Sequence, residues 1–259
     1  TGNAADYPAL GIDNAYIYIS ANMFDPFDFQ YSKVWVIPKN QLLSGQPPNL
    51  TWTEFINPAG SASSMQPAHT FGTPGTEYFV YEWGSGQLNI SKVHFPGWSP
   101  TWTNIGSFAV NFFTSYTDPP LPGAPQLGSS KRIDTSDTRL LNAVYRNGSL
   151  WTTHTVETGG KTEVAWYRIN PGSLAVPEQG RISDTSRWYA YPSIAVNQDN
   201  DVAVGFSGSS ATEYIGAYYT ARRNGESSGT MQPVSLLTSG EAPYYKTLAL
   251  EPLADNRGG

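Results

Sequence analysis

Asp137-Thr-Arg-Leu-Leu-Asn-Ala-Val-Tyr-Arg-Asn-Gly-Ser-Leu-Trp-Thr-Thr-His154 decides how this chain folds. An apolar run ends at Arg146, Asn147-Gly148 follows, and a second strand-like run begins at Ser149. Asn-Gly between two such runs predicts a two-residue hairpin, because both central residues of a type I′ turn need positive φ. The same order recurs three more times. First strands are predicted at 8–13, 67–72, 139–144 and 192–197, and second strands at 15–20, 77–81, 149–154 and 201–206. Asp13-Asn14, Pro74-Gly75 and Asn200-Asp201 stand where Asn147-Gly148 does. Third strands follow at 33–38, 88–95, 162–169 and 215–221, and weaker fourth strands at 51–56, 102–108, 178–182 and 234–237.

Four repeats of one strand order predict an all-β β-propeller of four-stranded antiparallel blades, about four of them visible. The chain reads as one propeller domain or propeller fragment, residues 1–259, with blades at about 6–58, 66–116, 134–183 and 189–240. A sandwich would use similar strands without requiring the same internal order four times. The first strands are almost continuously apolar, as innermost strands buried between neighbouring blades should be. Four blades leave a tail too short for a fifth. The expectation is therefore a compact ring closed with help from that tail, or part of a larger propeller whose open face is covered by missing blades or another chain.

Composition points the same way. Of 259 residues, 14% are charged and 14% aromatic, while 25 Gly and 20 Pro supply turns, a balance that favours many short strands over helices. The net charge of -6, without any Lys/Arg run, argues against nucleic acid and anionic membranes as partners. No apolar stretch approaches the length of a membrane span. No signal peptide is visible at Thr1, so any such segment is expected to have been removed. The absence of Cys removes disulfides, thiolate metal sites and cysteine nucleophiles, and suits a bacterial exported protein. Asn49, Asn89 and Asn147 open N-x-S/T triplets that matter only if the source glycosylates them.

The stretches 189–207 and 137–154, with 6–11 followed by 16–24, resemble secreted bacterial β-propeller proteins of the sialidase-like superfamily. The resemblance implies a propeller fold, an extracellular setting and glycan-directed function. It does not carry a catalytic site across. Sialidases commonly show Ser-x-Asp-x-Gly-x-Thr-Trp turns, and none occurs here. They also hold the substrate carboxylate with three arginines, whereas of Arg139, Arg146, Arg187 and Arg222 only Arg139 lies near the start of an inner strand.

Ligands of propellers gather where inner strands begin, so the candidates are Asp6 with Tyr7, His69, Asp137 with Arg139, and Tyr189 with Tyr191. Asp137 and Arg139 share one side of a strand, spaced to bind a sugar hydroxyl and an acidic group, or else to form an ion pair that ties the strand entry to the adjacent blade. Asp6 and Asp137 occupy similar places in different blades and are the catalytic candidates, since glycoside hydrolysis uses two carboxyl groups. Arg139, Trp188, Tyr189, Tyr191 and His69 are the ligand-binding candidates. Most tryptophans are expected in packing, including Trp52 and Trp102 in fourth strands, while Trp188 is reserved as ligand-facing. His69, His94 and His154 lack metal-ligand spacing, so no cofactor or metal is expected. Ca²⁺ at 199–201 or 13–14 is outweighed by turn chemistry. Three functions stay open: a binding or scaffold module for a glycan or protein partner, a glycoside hydrolase acting on extracellular glycans, and a structural subunit of an extracellular assembly.

Overall fold

The computed structural model describes residues 3–25, 28–43, 50–84, 86–111 and 123–245. It is all-β apart from one 3₁₀ turn at Lys39–Gln41. The first quartet comprises β1 (Ala4–Ile12), β2 (Tyr16–Phe24), β3 (Phe29–Pro38) and β4 (Thr53–Ile56). The second holds β5 (Gln66–Thr70), β6 (Thr76–Glu82), β7 (Gln87–His94) and β8 (Thr101–Ala109). A short hairpin follows, β9 (Ala124–Gln126) and β10 (Ser129–Ile133). The third quartet is β11 (Leu140–Arg146), β12 (Ser149–Thr158), β13 (Lys161–Asn170) and β14 (Ala175–Ile182). The fourth is β15 (Trp188–Val196), β16 (Val202–Ser210), β17 (Glu213–Arg222) and β18 (Ser235–Thr238). Every predicted strand overlaps an observed one.

Within each quartet, successive strands pair antiparallel. The turns behave as their chemistry demands. Asn147 and Gly148 have φ of 49° and 76°, and Gly75 and Asn200 have 64° each, the left-handed conformations these residues tolerate best.

The inner strands are more tightly joined than separate blades require. β5 pairs in parallel with both β1 and β11, which fuses three quartets into one 12-stranded sheet. Gly11 permits the β1–β5 approach, since a Cβ there would lie 2.5 Å from Pro67 Cβ and 2.7 Å from Ala68 O. The fourth quartet joins by side chains instead. Asn142 Nδ2 donates to Ile194 O at 2.9 Å, and Ile194 N donates to Asn142 Oδ1 at 3.0 Å. The amide thus replaces a peptide group in a ladder between β11 and β15. Arg146 Nη1 extends this seam to Val196 O at 3.1 Å.

Three apolar interfaces hold the fan together. Tyr18, Val34 and Val36 of the first quartet pack on Phe79, Tyr81 and Val93 of the second. Val80, Leu88 and Ile90 meet Leu150, Tyr167 and Ile169 of the third. Trp151, Val164 and Trp166 meet Ile194, Val204 and Phe206 of the fourth. Each interface is fully dehydrated, so burial of these faces, at about 25 cal/mol per Å², dominates the stability of the fan.

Among the described residues, no strand pairing links the fourth quartet back to the first, and the sheet does not close. This corrects the expectation of uniformly buried inner strands. β5 and β11 are largely buried, but Leu10 of β1 is 56% exposed and β15 alternates buried with exposed residues. Among the described residues, each of these two strands borders another quartet's inner strand on one side only.

The β9–β10 hairpin, which no repeat predicted, leaves the path between the second and third quartets and docks on the fourth. Leu127 N donates to Glu213 O at 3.0 Å, and Ser209 Oγ to Pro125 O. Buried Gln126 then grips the backbone of Tyr244, accepting from its N at 2.6 Å and donating to its O at 2.9 Å.

Candidate functional site

Antiparallel pairing brings the start of each inner strand and the end of its second strand to the same rim. Between the second and third quartets this rim opens into a hollow of about 320 Å³, lined by Ser61–Ser64, Glu82, Trp83, Gly84, Arg139 and Leu140. β6 sends alternate side chains to opposite faces: Phe79 and Tyr81 face the first quartet, and Val80 and Glu82 the third. Glu82 therefore points at β11 and β12. Its side chain is 10% exposed, and among the described residues its Oε1 makes no hydrogen bond. That oxygen lies 3.5 Å from Nδ1 of the fully buried His154. Nδ1 donates to Thr138 O at 2.6 Å, and Nε2 is 2.9 Å from Tyr167 Oη. The imidazole is thus oriented by its own partners, as expected of a strand histidine, while backing a pocket carboxyl.

Asp137 and Arg139 open the third quartet. Asp137 Oδ1 accepts from Arg139 N at 3.0 Å, and Oδ2 pairs with Arg139 Nε at 2.7 Å. The two residues pair with each other within one strand entry. The guanidinium lies over the Tyr7 ring at 4.9 Å. Tyr7 comes from the first quartet and crosses to the third, where its hydroxyl donates to Leu140 O at 3.2 Å. Burial, then the Asp137 carboxylate, raise the Tyr7 phenol to about 12 against the opposing pull of Arg139, with Glu82 adding to the rise. The four groups share one field.

Backbone strain puts Tyr7 there. Tyr7-Pro8 and Tyr191-Pro192 sit in bulges of β1 and β15, and both tyrosines hold positive φ, 50° and 55°. A non-glycine residue so placed costs about 1–3 kcal/mol, and such strain concentrates at functional sites. Tyr191 donates from its hydroxyl to Asp134 O at 2.9 Å, and burial with Asp134, Tyr244 and Asp137 raises it to about 12. Asp137 acts on both tyrosines.

The remaining candidates separate. Asp6 is exposed, and neither it nor Asp137 is among the residues lining the hollow; the bulge turns Tyr7 toward Arg139 instead. His69 lies away from this rim, donating from Nε2 to Leu10 O at 3.2 Å beside a second hollow of about 370 Å³ among β1, β5 and β11. Tyr189 corrects the reading that made it ligand-facing. It is 1% exposed and packed on Phe206 and Tyr218 at 4.7 and 5.8 Å. Trp188 is half-buried, and its neighbour Arg187 is committed to Glu213 and Asp184. The turn carboxylates are also engaged: Asp13 accepts from Ala15 N, Tyr16 N and Tyr18 Oη, and Asp201 from Asn224 N and Asn197 Nδ2. Asn89 accepts from Tyr81 Oη and Asn147 donates to Gln198 O, while Asn49 lies outside the described residues. Trp102 packs against Phe79 as expected, whereas Trp52 is 51% exposed.

Sequence reasoning missed Glu82 and Trp83 because it searched only the starts of inner strands. A carboxylate, an indole and a glycine closing a second strand were the available signal.

No protein-family profile and no curated protein matches the chain. Solved structures do. A neuraminidase-like protein of A/little yellow-shouldered bat/Guatemala aligns over 90% of this chain and 60% of its own, at 8% identity and TM-score 0.48. An exo-beta-1,3-galactanase from Clostridium thermocellum aligns over 90% and 48%, at 10% identity and TM-score 0.48. An alpha-L-arabinanase of Cellvibrio cellulosa aligns over 89% and 77%, at 11% identity and TM-score 0.41. This chain spans about half to three fifths of the first two. Similarity at this level carries nothing about residues or chemistry.

Proposed function

We propose that the rim hollow binds a saccharide and hydrolyses a glycosidic bond, as part of a sialidase-like propeller in an exported protein. The observation that carries the reading is Glu82. A buried carboxylate oxygen without a hydrogen bond costs roughly 1–3 kcal/mol or more, and this one belongs to a residue that lines a hollow a ligand can enter. Trp83, 40% exposed beside it, offers a ring face for a sugar, and the Ser61, Ser63 and Ser64 hydroxyls offer partners for its hydroxyl groups.

Hydrolysis asks for two carboxyl groups with different duties. Glu82, in the hollow's wall, is the proton donor to the departing oxygen. Asp137, paired with the Arg139 that lines the hollow, is the anionic partner that meets the developing positive charge. The test is turnover of a panel of polysaccharides and aryl glycosides by the intact chain. Glu82→Gln should lower turnover roughly 10²–10⁴-fold and leave ligand affinity nearly intact. Equal turnover by the variant sinks the reading.

Binding without chemistry is the second reading, supported by the engagement of Asp137 with Arg139. Saturable glycan binding with no turnover of any panel member would establish it. The open ends favour a contribution from further blades or another chain, which sedimentation of the purified chain would reveal as self-association or a partner requirement.

A further inference from the structure

We propose that the hollow selects an uncharged sugar, and that Asp137 is the specificity device that turns acidic sugars away. The proposal rests on the rim hollow being a glycan site, and it holds whether or not that site is hydrolytic.

Recognition of a sugar carboxylate needs a cation with charge to spare, best supplied by a guanidinium presenting paired N–H groups. Arg139 is the one Lys or Arg lining the hollow among the described residues. Its charge is already paired through Nε. Asp137 Oδ2 holds its Nε at 2.7 Å, and Tyr7 covers one face of its plane at 4.9 Å. Asp137 is itself fixed in register, because its other oxygen caps the backbone N of Arg139 at 3.0 Å. The carboxylate therefore cannot swing away when a competing anion arrives without also releasing the start of β11.

Around this pair the field is acidic. Glu82 adds a carboxyl in the same hollow, and both Asp137 and Glu82 push the Tyr7 phenol upward. The nearby imidazole of His154 lies behind Glu82, with its nitrogens directed at Thr138 O and Tyr167 Oη. An incoming carboxylate would meet the Glu82 carboxyl and a guanidinium whose charge Asp137 already neutralises. Like charges so placed exclude a ligand more effectively than weak contacts attract one. A neutral ring loses nothing there: its apolar face stacks on Trp83 and its hydroxyl groups find Ser61, Ser63, Ser64 and the carboxylate edges.

A glycan array carrying neutral oligosaccharides beside sialylated and uronic-acid-bearing ones tests this with the unaltered chain. Neutral glycans should be retained and acidic ones left unbound. Retention of acidic glycans as strong as or stronger than neutral ones overturns the proposal. Asp137→Asn keeps an oxygen for the Arg139 N–H while removing the charge. It should raise acidic-glycan affinity about tenfold or more, the change expected when one close like charge is removed. No gain, in a variant that melts as the wild type does, also overturns it. The underlying site has its own control. Neutral-glycan binding unaffected by Trp83→Ala and Glu82→Ala would place the ligand elsewhere, and a blank array would remove both the site and its selectivity.

Discussion

Glu77 and Glu82 lie five residues apart on β6, and each has a buried Oε1 with no hydrogen bond among the described residues. They teach opposite lessons. Glu77 is sealed, 0% exposed, and accepts from Thr70 Oγ1 at 2.8 Å on its other oxygen. Burial drives its carboxyl well above the usual range, opposed by the Thr70 bond and reinforced by Asp13. It lines neither of the hollows described above, and Gly11 of β1 packs close to its Oε1. Glu82 opens into a hollow, beside an exposed indole and across from a guanidinium. Burial and an unmet hydrogen bond do not mark a site by themselves. Access for a ligand does.

The comparison breaks most plainly under substitution. Glu82→Gln is expected to cost activity roughly 10²–10⁴-fold while Glu77→Gln leaves kcat within about twofold. If both fall together, the two carboxyls are not different in kind. Stability should respond the other way. Because the folded-state pKa of Glu77 is raised, its protonated form carries the stability. That stability is whole below the ordinary Glu pKa of about 4.3 and declines as pH climbs toward the folded value. Glu77→Gln should remove the decline and stabilise the chain by roughly 1–3 kcal/mol at pH 8. Denaturant melts at pH 5 and pH 8 will show it, and a wild-type melt that strengthens with rising pH would contradict it.

Trp83→Ala sharpens the contrast on the ligand side, with an expected loss of about 1–2 kcal/mol in glycan affinity by titration calorimetry and little change in melting. Smallest is the acid limb. Asp184 is surface-placed, and although partial burial pushes its carboxyl up, the backbone N–H groups of Arg187 and Ser186, the Ser186 hydroxyl and the Arg187 guanidinium bring it down to about 2. Its contribution is present above about pH 4 and fades as pH falls toward 2. Asp184→Asn should therefore flatten stability only in that window.

Much of the fold was legible because turns carry their own chemistry. Asn147-Gly148 and Gly75 needed left-handed backbone, and the strands on either side had nowhere else to go. The hairpin at Ala124–Gln126 and Ser129–Ile133 was illegible for the converse reason. Its strands are short, and its partners lie on a quartet that comes later in the chain. The site was half legible. Asp137 and Arg139 followed from the rule that inner strands begin at the mouth, but Tyr189 was misplaced by the Tyr191-Pro192 bulge. A one-residue shift there turns Tyr189 into the core and Tyr191 toward solvent, and alternation read straight through it gives the wrong face.

The docking of that hairpin has a temporal consequence. Its residues leave the ribosome before β11, yet the surface they seat on, and the Tyr244 backbone that Gln126 holds, are made later. The hairpin must wait through the synthesis of more than a hundred residues before it can settle. In refolding the same separation of 118 residues makes this contact a late one, so the trace should end in a phase that Gln126→Ala erases while the earlier phases keep their rates.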